Sequence, residues 1–199
     1  MVKILGVVCS PRIGGNTEIM VRKALKSAKK VKNVKTEIIL LGKKNIAPCD
    51  GCKTCIKTKK CKIQDDMQEI YSKLLEADGI IIGTPVRFRT ISAQGKAFID
   101  RTHAIAIRGL LANKVGGAIA VGQGRHGGQE ATVETIHNFF INEGMIVVGT
   151  GIWDAYAAGI AGEKGKIIYD KQGLKEAGAL GERIARIAKA LRIGLNHLK

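Results

Sequence analysis

Two textures alternate along the chain. Short, nearly continuous apolar runs bounded by turn residues read as strands buried on both faces. They are Val2 to Val8, Thr36 to Leu41, Asp78 to Thr84 with Gly-Ile-Ile-Ile-Gly inside it, Lys114 to Val121, and Met145 to Gly149. Between them apolar residues recur at helical spacing. Ile19, Met20, Ala24, Leu25 and Ala28 mark a helix capped by Asn16 or Thr17 that runs to the Lys-rich turn near Asn33. Asp65 to Glu76, Ser92 to Ile107 and Gln129 to Glu143 read as three more. Gly173 to His197 is the last, with Leu174, Ala177, Leu180, Ile184, Ile187, Ala188 and Leu191 on one stripe. This alternation predicts parallel βαβ units with right-handed crossovers, hence a five-stranded parallel sheet inside a three-layer α/β/α sandwich. One stretch breaks the rhythm. Residues 45–62 carry Pro48, Gly51 and four cysteines, and read as an inserted loop held by something other than a core.

A length of 199 residues fits one domain spanning 1–199, and 45% hydrophobic residues exclude a disordered chain. The longest nearly apolar runs, Gly79 to Gly83, Val115 to Gly122 and Met145 to Ile152, fall well short of the ~20 residues a bilayer requires. Ile4 to Cys9 is too short for the apolar stretch of a secretory signal, and Pro11 and Arg12 follow it without a small-residue cleavage site. A cytoplasmic protein with no membrane partner is therefore expected.

The formal charge of +16 is concentrated: Val21 to Lys62 holds 14 Lys/Arg against Glu37 and Asp50. Such a run is either a set of solvated faces or a field that attracts an acidic partner. Nucleic acid is not expected, because aromatic residues make up only 4% of the chain and no reader motif supplies stacking or base contacts.

Ligands of such sheets bind beyond the carboxyl ends of the strands, at the switch point of strand order. Cys9-Ser10-Pro11-Arg12-Ile13-Gly14-Gly15-Asn16-Thr17 leaves the first strand and opens the first helix, where free amides and the helix dipole favour an anion. Ser10, Asn16 and Thr17 add donors, Arg12 adds charge, and Gly15 lets the backbone approach. The loop is neither Gly-x-Gly-x-x-Gly nor a Walker loop, so a terminal monophosphate is favoured over a pyrophosphate. Thr84-Pro85-Val86-Arg87-Phe88-Arg89-Thr90-Ile91-Ser92 leaves the third strand, with Ser92 placed to cap the next helix, and its Pro85 and Phe88 suit a planar ligand. Gly122-Gln123-Gly124-Arg125-His126-Gly127-Gly128 leaves the fourth strand, and its glycines suggest backbone close to a ligand. His126 reads as a solvated side chain.

These loops together resemble the flavodoxin-like NAD(P)H-dependent FMN reductases. The resemblance is carried by Ser10-Pro11-Arg12 with Gly15-Asn16-Thr17, by Thr84-Pro85-Val86 followed by Ile91-Ser92-Ala93-Gln94 and Lys96-Ala97-Phe98-Ile99-Asp100-Arg101, and by Gly127-Gly128-Gln129-Glu130. It implies a flavodoxin-like fold and bound FMN. The first loop then holds the ribityl phosphate, Pro85, Val86, Arg87, Phe88 and Ile91 contact the isoalloxazine, and Gly122, Gly124, Arg125, Gly127 and Gly128 border its other side. Arg87 stands where relatives often carry Tyr, which leaves Phe88 and Trp153 as aromatic candidates for stacking. The resemblance also implies a homodimer or homotetramer with FMN at a subunit interface.

Cys49-x2-Cys52-x2-Cys55-x5-Cys61 packs four thiols into 13 residues. In a cytoplasmic chain metal ligation is the default reading of such a set. Zinc sites use Cys or Cys/His pairs separated by a longer finger, whereas cysteines at x2 spacing let one loop wrap a cubane, so a [4Fe-4S] cluster is favoured over structural zinc. Cys9 reads as a small buried residue. This set, placed after the second strand, resembles the iron-sulfur flavoproteins. The function expected is therefore a relay of electrons between a one-electron donor such as ferredoxin and an acceptor. Lys53, Lys57, Lys59, Lys60 and Lys62 would stabilise a reduced, more negative cluster and steer an acidic donor. No catalytic acid or base is expected, since the flavin carries the redox chemistry. Two other readings stand beside it: an NAD(P)H-dependent FMN or quinone reductase with a structural cysteine loop, and a basic DNA- or RNA-binding module.

Overall fold

Strand β1 (Val2–Val8) divides its side chains between two cores with the period of a strand: Leu5 and Val7 enter one apolar cluster, Val2, Ile4 and Val8 the other. The structure, a computed structural model, describes residues 1–124, 126–151 and 156–197. Beside β1 lie β2 (Val34–Leu40) and β3 (Gly79–Pro85), then β4 (Val115–Gly122) and β5 (Ile146–Val147), in the order β2-β1-β3-β4-β5. Every pairing is parallel, with Val7 opposite both Ile39 and Ile82.

The sheet differs from the expected five strands at its outer edge. A sixth strand, β6 (Ala157–Ile160), pairs with the second half of β4, whereas β5 covers only Val115 and Gly116. One sheet position is thus shared by two short pieces. Ala-Ala-Gly-Ile lacks the run of β-branched residues that marks a strand, so its place depends on the ladder it joins.

Helices α1 (Asn16–Ala28) and α7 (Lys171–His197) cover one face with Met20, Val21, Leu180 and Ile184. The other face is covered by α3 (Met67–Glu76), α4 (Ala93–Arg101), α5 (His103–Ala106) and α6 (Gln129–Asn142), through Ile70, Leu74, Phe98 and Phe140. Gly116 permits the close approach of α6, since a Cβ there would meet the Phe140 ring at 2.7 Å. The cysteine segment holds one short helix, α2 (Thr54–Thr58).

Two helix boundaries differ from expectation. Neither Asn16 nor Thr17 caps α1; Gly15 takes the cap position, without a side-chain bond. The helix expected over Ser92 to Ile107 is interrupted at Thr102, whose hydroxyl donates back to the Ile99 carbonyl at 2.7 Å. Ser92 does cap α4, accepting the Gly95 amide at 3.3 Å. Among the described residues no helix is long and apolar enough to cross a membrane.

Candidate functional site: a basic cleft and a four-cysteine cavity

The end of β1 is fixed before its loop begins. Ser92 Oγ donates to the Cys9 carbonyl at 2.6 Å, and Thr84 Oγ1 accepts the Ser92 amide at 3.2 Å, so the first and third strand ends are bonded through one serine. Gly42 supports the loop from below: a Cβ there would lie 2.8 Å from the carbonyl oxygens of Ser10 and Pro11. Within the loop Ser10 Oγ accepts the Arg12 amide at 3.1 Å. Gly14, at φ +67, donates its amide to Glu18 Oε2 at 2.7 Å, and Arg22 Nε donates to Glu18 Oε1 at 2.8 Å. Burial works against the Glu18 charge, yet these two partners hold its carboxyl below the usual range. Two donors thereby offset the Glu18 carboxylate beside the loop.

Ser10, Arg12, Gly15, Asn16 and Thr17 share a cavity of about 220 Å³ with Pro85 at the end of β3, Val86 and Arg87 just after it, and Gly122 at the end of β4. All three expected loops therefore meet at the carboxyl ends of the strands. Arg12, Arg87 and Lys164 bring positive charge to its lining, which holds no carboxylate among the described residues. With the unpaired first-turn amides of α1, this is a donor set suited to an anion. The residues present fit the phosphate and polyol of FMN.

Other expected flavin contacts are placed elsewhere. Arg87 and Thr90 exchange backbone hydrogen bonds of 2.9 and 3.0 Å across a tight hairpin, with Phe88 (φ 50) and Arg89 (φ 64) both left-handed at its tip. That turn holds Phe88 wholly in solvent, 102% exposed. Ile91 is buried beside Gly95 in the core. Gly124 gives its carbonyl to Gln129 Nε2 at 2.9 Å, Gly127 lies over that carbonyl, and Gly128, at φ +95, lies against Arg89. Arg125 and Trp153 lie outside the described residues. His126 is exposed on a turn, and Cys9 is buried, with burial pushing its thiol up.

The sequence reading missed the segment after β6. Ala161, Gly162 and Lys164 line the cleft, and Lys164 Cε comes within 4.0 Å of the place a Cβ on Gly14 would take. The available signal was the glycine-rich run Gly162 to Gly165, behind a strand too short to recognise.

The four cysteines lie away from this cleft, and among the described residues none lines both cavities. Cys49, Cys52, Cys55 and Cys61 line a cavity of about 230 Å³ together with Ile56, Ile63, Arg101 and His103. All four are free thiols; Cys49 and Cys52 are exposed, Cys55 and Cys61 half-buried. Burial raises the Cys55 thiol, and the neighbouring Cys61, Cys52 and Cys49 add to the rise. Among the described residues no three His, Cys, Asp or Glu side chains converge on a single-ion site. The loop is anchored at both ends. Arg101, on α4, donates to the carbonyls of Ala47 at 2.8 Å and Ile63 at 3.3 Å, and to both oxygens of Asp65. Asp50 accepts the Cys52 amide at 3.2 Å and pairs with Lys62 at 2.9 Å, which lowers its carboxyl to about 2.

The chain resembles known proteins along most of its length. The model of the family described as NADPH-dependent FMN reductase matches residues 2–158. An iron-sulfur flavoprotein of Methanocaldococcus jannaschii is 44% identical over 192 residues, covering 96% of this chain and 99% of that protein. An iron-sulfur flavoprotein of Methanosarcina thermophila is 43% identical over 148 residues, 74% of this chain and 77% of that one. Among solved structures, the flavodoxin-type WrbA-like protein of Agrobacterium tumefaciens shares the fold with a TM-score of 0.68 at 18% identity, covering 96% of this chain and 99% of that one. The parallel sheet in the order β2-β1-β3-β4-β5, the basic cleft at the carboxyl ends of its strands and the match over residues 2–158 lead to one assignment: the chain belongs to the NADPH-dependent FMN reductase family and is an FMN-dependent oxidoreductase.

Proposed function

We propose that this chain is an iron-sulfur flavoprotein that relays electrons between a one-electron donor, such as an acidic ferredoxin, and an acceptor. FMN sits in the basic cleft and a [4Fe-4S] cluster in the cysteine cavity. The observation that carries the reading is the single cavity of about 230 Å³ lined by Cys49, Cys52, Cys55 and Cys61. Thiols spread around a cavity suit a polynuclear group better than one tetrahedral ion, whose sulfurs must all lie ≈ 2.3 Å from a point. When bound, a cubane exchanges single electrons and FMN exchanges one or two.

The residues of the chain bind, orient and set the charge. Ser10, Arg12, Asn16, Thr17 and Lys164 hold the phosphate end of FMN, and Pro85, Val86, Arg87 and Gly122 border the rest of the cleft. Lys53, Lys57, Lys59 and Lys60 are exposed on the cysteine segment and direct a positive field at an approaching acidic protein. Lys62 is partly spent on Asp50. Helix α4 spans the interval between the two cavities. Ser92 touches the end of β1 and Arg101 lines the cysteines, nine residues or about 14 Å further along the axis. Assembly as a dimer or tetramer, with the exposed Phe88 hairpin at an interface, brings the cluster of one subunit toward the FMN of another.

Anaerobic stopped-flow mixing tests the donor. Reduced ferredoxin is expected to bleach the flavin absorbance with a rate that falls steeply as salt rises. Fast bleaching by NADPH and none by ferredoxin would instead favour the nicotinamide-dependent reductase, with the cysteine loop as scaffold.

A further inference from the structure

Arg101 is a guanidinium with almost no contact with water. Its side chain is 0% exposed, and its Asp65 partner 6%. Four of its five N–H groups are accounted for. Nη1 serves Ala47 O at 2.8 Å and Asp65 Oδ2 at 2.7 Å, and Nη2 serves Ile63 O at 3.3 Å and Asp65 Oδ1 at 3.0 Å. The fifth, on Nε, is buried without an acceptor among the described residues. Buried donors are nearly always paired, so an orphan of this kind on a cavity wall marks a missing acceptor. Arg101 lines the cysteine cavity, and Cys61 lies within its electrostatic reach.

We propose that the Arg101 Nε–H is reserved for an anionic sulfur in the cysteine cavity, either a cluster sulfide or the Cys61 thiolate. Arg101 is then a positioning residue that latches the two ends of the cysteine loop and sets the reduction potential of what the loop holds. The inference rests on the cluster reading above. Its physical basis is that reduction adds one electron and one negative charge to the sulfurs, and a hydrogen bond donated to sulfur favours the reduced form. Asp65 offsets the guanidinium charge at distance, which leaves the directed N–H as the larger effect.

The test uses holoprotein purified without oxygen, titrated with dithionite in the presence of mediators and followed by EPR. Arg101→Lys keeps the charge and removes the planar fork. With iron and sulfide content as in the wild type, its reduction equilibrium is expected to move about tenfold against the reduced form, 59 mV for one electron. An unshifted midpoint at full iron content would overturn the role of Arg101 and leave the cluster reading standing. Wild-type protein that carries no iron would overturn both. If Arg101→Lys is recovered without iron, the wild type decides. Arginine labelled with nitrogen-15 at Nε should show a hyperfine coupling to the reduced cluster in pulsed EPR, because Arg101 is the arginine lining the cavity among the described residues. Its absence would overturn the proposal.

Discussion

Asn16 and Ile167 are joined across 151 residues of sequence: Asn16 Oδ1 accepts the Ile167 amide at 3.3 Å while its Nδ2 donates to the Glu163 carbonyl at 2.7 Å. The asparagine that opens α1 is therefore committed to the segment after β6. It holds Lys164 beside the first loop, so its contribution to an anion is made mostly through a neighbour's ammonium group. Asn16→Ala should release that segment and weaken FMN binding by about tenfold, about 1.4 kcal/mol. Quenching of flavin fluorescence on titration into apoprotein measures it. Unchanged affinity would mean that the segment carrying Lys164 adds nothing to the cleft.

Ser92 is the buried junction of the cleft, bonded to Cys9 O, Thr84 Oγ1 and the Gly95 amide. Ser92→Ala strands a buried carbonyl and uncaps α4. A loss of about 2–3 kcal/mol of stability is expected from denaturant unfolding, with weaker flavin retention beside it. A loss below about 0.5 kcal/mol would show that water replaces the hydroxyl.

Cys52 is exposed, with its thiol beside Asp50 and Lys62 at the surface. Cys52→Ala should abolish stoichiometric iron and sulfide, leave FMN bound, and change stability of the metal-free protein by less than about 0.5 kcal/mol. Because the two cavities share no lining residue among the described residues, loss of flavin together with iron would show that the two sites depend on each other.

Much of the frame was legible in the sequence, and the reasons differ by element. β1, β3 and β4 are nearly continuous apolar runs, and a strand covered on both faces has no other way to look. β6 has no such signature, and with it Lys164 was lost to the sequence reading. The split of the helix at Thr102 depends on a hydroxyl's choice between solvent and the Ile99 carbonyl, which periodicity cannot encode. Phe88 differs again: two left-handed residues in succession, Phe88 and Arg89, point its ring at solvent, and no glycine or asparagine in the loop announces such a turn. Arg101 closes the six-residue stretch Lys96 to Arg101, yet its role requires Asp65, 36 residues away, to be seen.

Glu143, at the end of α6, is 8% exposed, and its Oε2 has no hydrogen-bond partner among the described residues. Burial raises its carboxyl to about 7, from an ordinary value of 4.5. Below pH 4.5 both folded and unfolded chains hold the proton and no penalty arises. As pH climbs from there to about 7 the unfolded chain ionises first, so stability falls across this window and then levels off. Glu143→Gln should therefore gain about 2 kcal/mol over the wild type at pH 8 and little at pH 4.5, read from urea unfolding at each pH. A difference independent of pH would place the effect in packing.

The central claim is that the four cysteines hold an iron-sulfur cluster beside a flavin. Iron, acid-labile sulfide and zinc, counted per FMN on protein purified without oxygen, test it most directly. The account predicts close to four iron and four sulfide per FMN, with no zinc. One zinc per FMN, or bound FMN with neither metal, would contradict it and leave the cysteine loop a scaffold of a nicotinamide-dependent reductase.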